Sequence, residues 1–282
     1  MSKGEYGRSA LSWLSGAVQF PGEFLDHLSA FPATLRAKKF VQKWPPPPPS
    51  DPLFSSERNP LWEFFQSNVE GPGVWKWEHY FPIYLRHLSK FVGTKASLLE
   101  VGIYSGGSLG MWRNYLGEQA RIVGVDIAEE CLSYQTDDFQ IFIGDQGDPL
   151  FWERVGGELP RLDIVIDDGG HHPEQQRITL EGILPYLSPG GVYICEDVHG
   201  DFNAFSQYVT ELCHEMNATN SVPGSNLVAL ENRPTALQAS IFSISIYAYV
   251  VVIEKNWQPM EMLRAPRMGS EWQPFLGGEP VE

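Results

Sequence analysis

From residue 97 onward, short apolar runs alternate with longer stretches whose apolar residues recur every three to four positions. Runs of five or six residues rich in Val, Ile and Leu, closed by glycine or a carboxylate, read as buried strands. The amphipathic stretches between them read as the helices that cover a parallel sheet. The predicted strands span 97–101, 121–126, 139–144, 162–167 and 191–196. A helix is predicted over 173–187, with Pro173 in its first turn and Ser188-Pro189-Gly190-Gly191 as the turn behind it. The apolar run near the C-terminus splits into two further strands, 239–245 and 248–254, expected as an antiparallel pair at one sheet edge. The pattern therefore predicts an α/β, Rossmann-like fold: a mostly parallel, doubly wound sheet with an antiparallel edge strand.

Upstream the pattern changes. Pro45 to Pro49 are five consecutive prolines, followed by Ser50, Asp51 and Pro52, a composition that enforces an extended segment and excludes helix. The expected organisation is a helical extension over 1–44, a polyproline linker over 45–52 and an aromatic-rich helical segment over 53–96. The main domain then runs over 97–260 and a tail over 261–282. A docking helix around 11–28 is one reading of the extension, which otherwise serves as a lid or an oligomer contact, so a homo-oligomer is among the expectations. No run reaches the roughly 18 apolar residues of a membrane-spanning helix.

Lys and Arg number 20 against 35 Asp and Glu, a net charge of −15. That balance argues against nucleic acid or an anionic membrane surface as partner. The three cysteines, Cys131, Cys195 and Cys213, are too far apart for a metal spacing or a disulfide framework. They read as reduced, buried thiols, and the expected location is cytoplasmic.

In an open α/β sheet, ligands bind beyond the carboxyl ends of the strands. The first tip is Glu100-Val-Gly-Ile-Tyr-Ser-Gly-Gly-Ser108, where Gly102 and Gly106 let the backbone approach a ligand closely. Its spacing is neither the dinucleotide nor the phosphate-loop pattern. The second, Gly124-Val-Asp126, offers a carboxylate for ribose hydroxyls; the third, Gly144-Asp145-Gln146, offers an acceptor and an amide for an adenine edge. Glu100, Asp126 and Asp145 would repel phosphates. A nucleoside with a cationic tail, S-adenosylmethionine, fits these tips best.

The fourth and fifth tips are Asp167-Asp168-Gly-Gly-His171-His172 and Glu196-Asp197-Val-His199. Neighbouring strands would gather four carboxylates in one small volume, and a hard divalent cation such as Mg²⁺ would relieve their repulsion. His171 is then the candidate base that takes a proton from an acceptor hydroxyl.

Taken in order, these tips resemble the family of metal-dependent sugar O-methyltransferases of macrolide pathways. Its members include the macrocin and mycinamicin enzymes, together with cephalosporin-hydroxylase-like and rhamnosyl O-methyltransferase relatives. Residues 77–84, Trp-Glu-His-Tyr-Phe-Pro-Ile-Tyr, resemble that family's aromatic segment. The resemblance implies a class I methyltransferase in which Asp168, Glu196 and Asp197 hold Mg²⁺ and His171 is the base. It places Glu100, Gly102, Asp126, Asp145 and Gln146 along the cofactor site, with Ser105, Gly106 and Asp167 beside them. Gly170 stands where relatives often carry serine. The expected reaction is O-methylation of a hydroxyl on a sugar or polyhydroxylated natural product, a small-molecule partner. The alternatives are a catechol or phenol acceptor, a non-catalytic cofactor-binding scaffold and, less favoured by a carboxylate-rich cluster, an iron oxygenase.

Overall fold

The computed structural model describes residues 21–46, 58–159, 161–200, 203–218, 231–266 and 268–269. The chain divides into two compact units, 1–55 and 56–282. The first is described through one helix, α1 (Pro21–Val41), with Pro32 inside it and Lys38 and Lys39 in its last turn. Most of the docking helix considered over 11–28, and the prolines beyond Pro46, lie outside the described residues. Among the described residues no helix is long and apolar enough to cross a membrane.

The second unit opens with α2 (Pro60–Ser67) and α3 (Tyr80–Leu88). Asn59 caps α2 by accepting from the Leu61 and Trp62 amides, while its own amide donates to the Phe81 carbonyl and ties the two helices together. Five parallel strands follow: β1 (Ser97–Val101), β2 (Arg121–Asp126), β3 (Phe139–Ile143), β4 (Leu162–Asp167) and β5 (Leu187–Cys195). They alternate with α4 (Gly107–Leu116), α5 (Pro149–Gly156) and α6 (Pro173–Ile183), and α7 (Ala204–Met216) follows β5. A two-residue strand β6 (Glu231–Asn232), a short helix α8 (Ala236–Ser240), the hairpin strands β7 (Ile241–Tyr247) and β8 (Val250–Lys255), and β9 (Leu263–Arg264), which pairs with β6, complete the described elements. The main sheet has the order β3-β2-β1-β4-β5-β8-β7, with β8 and β7 antiparallel. This is the doubly wound sheet with an antiparallel edge that the hydrophobic pattern predicts.

Helices cover both faces, so every residue of β1 is buried, Ser97 and Glu100 included, and the strand shows no alternation of buried and exposed positions. One face carries Leu99, Val123, Val165 and Tyr193 against Phe151, Trp152, Leu180 and Phe205. Two local expectations are corrected. The 173–187 helix ends at Ile183, because a 3₁₀ turn over Leu184–Tyr186 intervenes. Ser188 to Gly191 are not a simple turn: Leu187 already pairs with Leu162, and the ladder resumes at Val192 with Ile164 after a bulge. Gly190 sits at φ +73° there. Cys131 and Cys195 are buried free thiols, whereas Cys213 is only partly covered.

At the sheet edge, Lys90 donates to Glu254 (2.9 Å), and His87 lies 3.4 Å from Glu254 and 2.9 Å from the Tyr247 hydroxyl. Burial holds the His87 imidazole below its ordinary pKa, and the Lys90 ammonium, against burial, holds Glu254 below the usual carboxylate range.

Candidate active site

The carboxyl ends of β1 to β5 open into one cavity of about 570 Å³, a size suited to a small organic ligand. The strand ladder continues past the strand ends and fixes the tips side by side. Gly102 donates to Val125, Asp168 to Val101, Gly144 to Asp126 and Glu196 to Asp167, all through backbone amides at 2.8–3.0 Å. At Gly102 (φ +83°) an added Cβ would overlap the Asp168 carbonyl, so only glycine lets the first and fourth tips close on each other. Among the described residues four non-glycines have positive φ: Tyr104, His171, Asp197 and Tyr249. All four line this cavity or the smaller one at its mouth; such conformations hold only where surrounding structure enforces them.

One end of the cavity is built from the tips of β1, β2 and β3. Asp126 lines it, and its two carboxylate oxygens accept the Tyr104 and Ala128 amides at 3.0 and 2.9 Å. Those bonds aim the group and leave further lone pairs for ligand hydroxyls. Asp145 lines the wall with Gly102 and Ser105, oriented by the Gly147 amide at 2.7 Å.

Other expected cofactor residues stand behind the wall. Gly106 is the α4 N-cap at φ +74° and does not face the cavity. Glu100 is fully buried and bonded by the Ser108 hydroxyl at 2.6 Å. Asp167 is buried on the other sheet face, where Tyr193 and Gln146 donate to it at 2.8 and 2.9 Å and burial pushes its carboxyl up to about 6. Gln146, expected to pair with an adenine edge, is engaged from behind as well. Although it reaches the wall, its amide donates inward to Asp167 and Thr179, and its oxygen accepts from the Gly170 amide at 2.6 Å. It pins the Asp168 to His171 turn instead.

The other end is acidic. Asp168, His171 and Asp197 each offer a ligand atom within 4.8 Å of one another. His171 lies 3.5 Å from Asp197, whose other oxygen accepts from the Tyr80 hydroxyl (2.8 Å) and the Trp77 indole (2.9 Å). Glu196 also reaches the cavity wall but is fully buried, with Tyr84 donating to one oxygen at 2.6 Å. Burial pushes both the Glu196 carboxyl and the Tyr84 hydroxyl upward.

The residue that sequence reasoning missed is Lys76. Its side chain is 2% exposed, and its ammonium donates to Asp168 (2.6 Å), Glu196 (3.2 Å) and Glu100 (3.3 Å), one carboxylate from each of three neighbouring strand tips. Burial works against that charge, but Asp168, Glu196 and Glu100 together hold the ammonium well above its ordinary pKa. Thus part of the repulsion inferred among the acidic tips is compensated within the chain.

The aromatic segment divides. Tyr80, Phe81 and Tyr84 are core, whereas Trp77 is 51% exposed and forms the rim. Trp77, His79 and His199 pack around the ring of Tyr249 on the β7–β8 hairpin, and Trp77, His199, Gly200 and Tyr249 line a second hollow of about 480 Å³.

Sheet order, glycine-bearing first tip and acidic fourth and fifth tips define a Rossmann-like, doubly wound fold with a cavity at its strand tips. Comparison with known proteins narrows this. No protein-family model matches the sequence. The chain is 33% identical over 199 residues to demethylmacrocin O-methyltransferase of Streptomyces fradiae, covering 64% of this chain and 50% of that enzyme. It is 33% identical over 130 residues to mycinamicin VI 2''-O-methyltransferase of Micromonospora griseorubida, covering 43% of this chain and 32% of that one. The solved structure of MycE methyltransferase of the mycinamycin biosynthetic pathway, in complex with Mg, SAH and mycinamycin VI, superimposes with a TM-score of 0.59. The match is 23% identical and covers 72% of this chain and 54% of that one. The chain is thus similar in sequence to demethylmacrocin and mycinamicin VI O-methyltransferases and shares the fold of MycE, while spanning half or less of the length of these curated relatives.

Proposed function

We propose that the protein is an S-adenosylmethionine-dependent, divalent-cation-assisted O-methyltransferase acting on a hydroxyl of a sugar or polyhydroxylated small molecule. The observation that carries this reading is the meeting, in one cavity, of an open end with Asp126 and Asp145 and an acidic end with Asp168, His171 and Asp197. Names of the relatives, all O-methyltransferases, support it.

In this reading Gly102, Ser105, Asp126 and Asp145 receive the cofactor, whose sulfonium supplies the methyl group. Glu100, Gly106, Gln146 and Asp167 hold those tips in place from behind. Asp168 and Asp197 present carboxylate oxygens for the ion, with Glu196 closing the centre from its buried side. This oxygen-rich set suits a hard cation such as Mg²⁺. Such an ion would polarise an acceptor hydroxyl and ease its loss of a proton. His171, 3.5 Å from Asp197, would take that proton on an imidazole nitrogen as the hydroxyl oxygen gains the methyl group. The aromatic rim would position the acceptor, so that orientation carries much of the acceleration. Trp77 and Tyr249 offer flat faces to the apolar side of a ring. With free thiols and an acidic surface, we assign the reaction to the cytoplasm and to small-molecule rather than nucleic-acid acceptors.

The test is transfer of labelled methyl from S-adenosylmethionine to a rhamnoside and, in parallel, to a catechol, with Mg²⁺ and with chelator. Mg²⁺-dependent labelling of the rhamnoside supports the proposal; labelling of the catechol alone reassigns the acceptor. Labelling that persists undiminished in chelator removes the ion from the account.

A further inference from the structure

Lys76 remains after the strand tips have been assigned. Among the described residues it is the buried cation that touches three carboxylates at once, and it sits in the irregular segment between α2 and α3 rather than on the sheet. The segment is fixed at both ends. A Cβ on Gly107 would collide with the carbonyls of Pro72 and Gly73, which shows how closely α4 approaches it on one side. On the other, Trp77 and Tyr80 donate to Asp197. Between these anchors, Glu100 and Glu196 hold the ammonium from inside the protein, and Asp168 takes its remaining bond through Oδ2 at 2.6 Å.

The three partners are unequal. Glu100 and Glu196 are fully buried, whereas the Asp168 side chain is 17% exposed and lines the cavity. Among the described residues no donor reaches its Oδ1. One oxygen is therefore held by the ammonium and the other carries no donor, while a carboxylate oxygen of Asp168 lies within 4.8 Å of ligand atoms of His171 and Asp197. A ligating carboxylate held by a hydrogen bond on its far oxygen has its orientation fixed in advance, and loss of such a partner costs about 10–100-fold in metal affinity.

We infer that Lys76 is the positioning residue of the cation centre: anchored by Glu100 and Glu196, it fixes Asp168 so that one carboxylate oxygen faces the ion. This rests on the proposed metal site. It implies that the ammonium stays on Asp168 when the ion binds, rather than occupying the ion's place until displaced.

The experiment is titration of the full chain with Mn²⁺, followed by electron paramagnetic resonance and calorimetry. Wild type is compared with Asp168→Ala and with the double variant Lys76→Met/Glu100→Gln. The double variant removes one positive and one negative buried charge together, so the net charge of the centre is unchanged and no ammonium partner is left bare at Glu100. Mn²⁺ affinity is expected to fall at least about tenfold in the double variant, while its melting temperature stays near wild type. Unchanged or tighter Mn²⁺ binding in the folded double variant overturns the inference, tighter binding meaning that Lys76 competes with the ion. Should that variant not fold, a crystal structure of Mn²⁺-loaded wild type decides: Lys76 Nζ still on Asp168 supports the inference, and Nζ withdrawn from it overturns it. If wild type binds no Mn²⁺, or Asp168→Ala binds it equally well, the metal site itself fails.

Discussion

The two ends of the cavity solve different problems with the same residue types. At the open end, Asp126 and Asp145 face the cavity and are steered by backbone amides; no basic side chain is paired with them among the described residues. At the acidic end, Glu100 and Glu196 are fully buried and joined with Asp168 by the Lys76 ammonium. A solvated carboxylate can wait for a ligand without compensation, whereas a buried one needs a cation or donors to remain charged. The first end is thus shaped by turns, the second by a charge network with contributions from four separate parts of the chain.

Four changes would break or sharpen this contrast. The largest effect is expected from Asp168→Ala, which removes the carboxylate shared by Lys76 and the ion. Turnover with Mg²⁺ should fall by more than about 100-fold, the upper part of the range for losing a ligand and its support. Calorimetry should still find S-adenosylmethionine bound with nearly unchanged affinity. Next is Gly102→Ala, where the two ends meet. The Cβ would overlap the Asp168 carbonyl at a backbone φ of +83°, so thermal unfolding should show a loss of about 1–3 kcal/mol together with weakened binding of both cofactor and Mn²⁺. Weakening of one ligand alone would mean the ends are built independently.

Asp126→Ala comes third. Loss of charge-assisted hydrogen bonds worth about 1.5–3 kcal/mol should weaken S-adenosylmethionine roughly 10–100-fold and leave Mn²⁺ binding alone. An unaltered cofactor affinity would remove Asp126 from the cofactor site. The smallest effect lies outside the cavity, at His87. Burial depresses its folded-state pKa below the usual 6.5, so between the two values the unfolded chain binds more protons. Stability should therefore fall as pH drops from 6.5 towards the folded value. Replacing His87 with Gln should flatten that part of the melting-temperature profile, and an equally steep profile would assign the slope to other groups.

The sheet was legible because both its faces are covered. Strands such as Leu162–Asp167 are then mostly apolar runs that end in the chemistry they carry, and order along the chain gives order at the tips. Asp126, Asp168, His171 and Asp197 could be picked out for that reason. Behind the wall this logic stops. Whether a carboxylate such as Glu100 or Asp167 points into a cavity or into a helix layer depends on packing partners that strand periodicity does not name. Gln146 looked like a free amide because its partners, Asp167, Thr179 and Gly170, come from the β4–α6 region. Lys76 was hidden most completely. It lies in a segment without period, and its carboxylate partners are 24, 92 and 120 positions away. The signal that could have found it is arithmetic: five acidic tips with no lysine or arginine among them call for a cation, and a lysine between two tryptophans ahead of the first strand is a candidate.

The central claim is that a methyl donor and a divalent ion lie side by side in this one cavity. Nuclear magnetic resonance of S-adenosylmethionine carrying a ¹³C-labelled methyl group, bound to the full chain, tests it most directly. Replacing Mg²⁺ by paramagnetic Mn²⁺ should broaden the methyl signal severely, and Asp168→Ala should restore it. A bound methyl signal as sharp with Mn²⁺ as with Mg²⁺ would contradict the account.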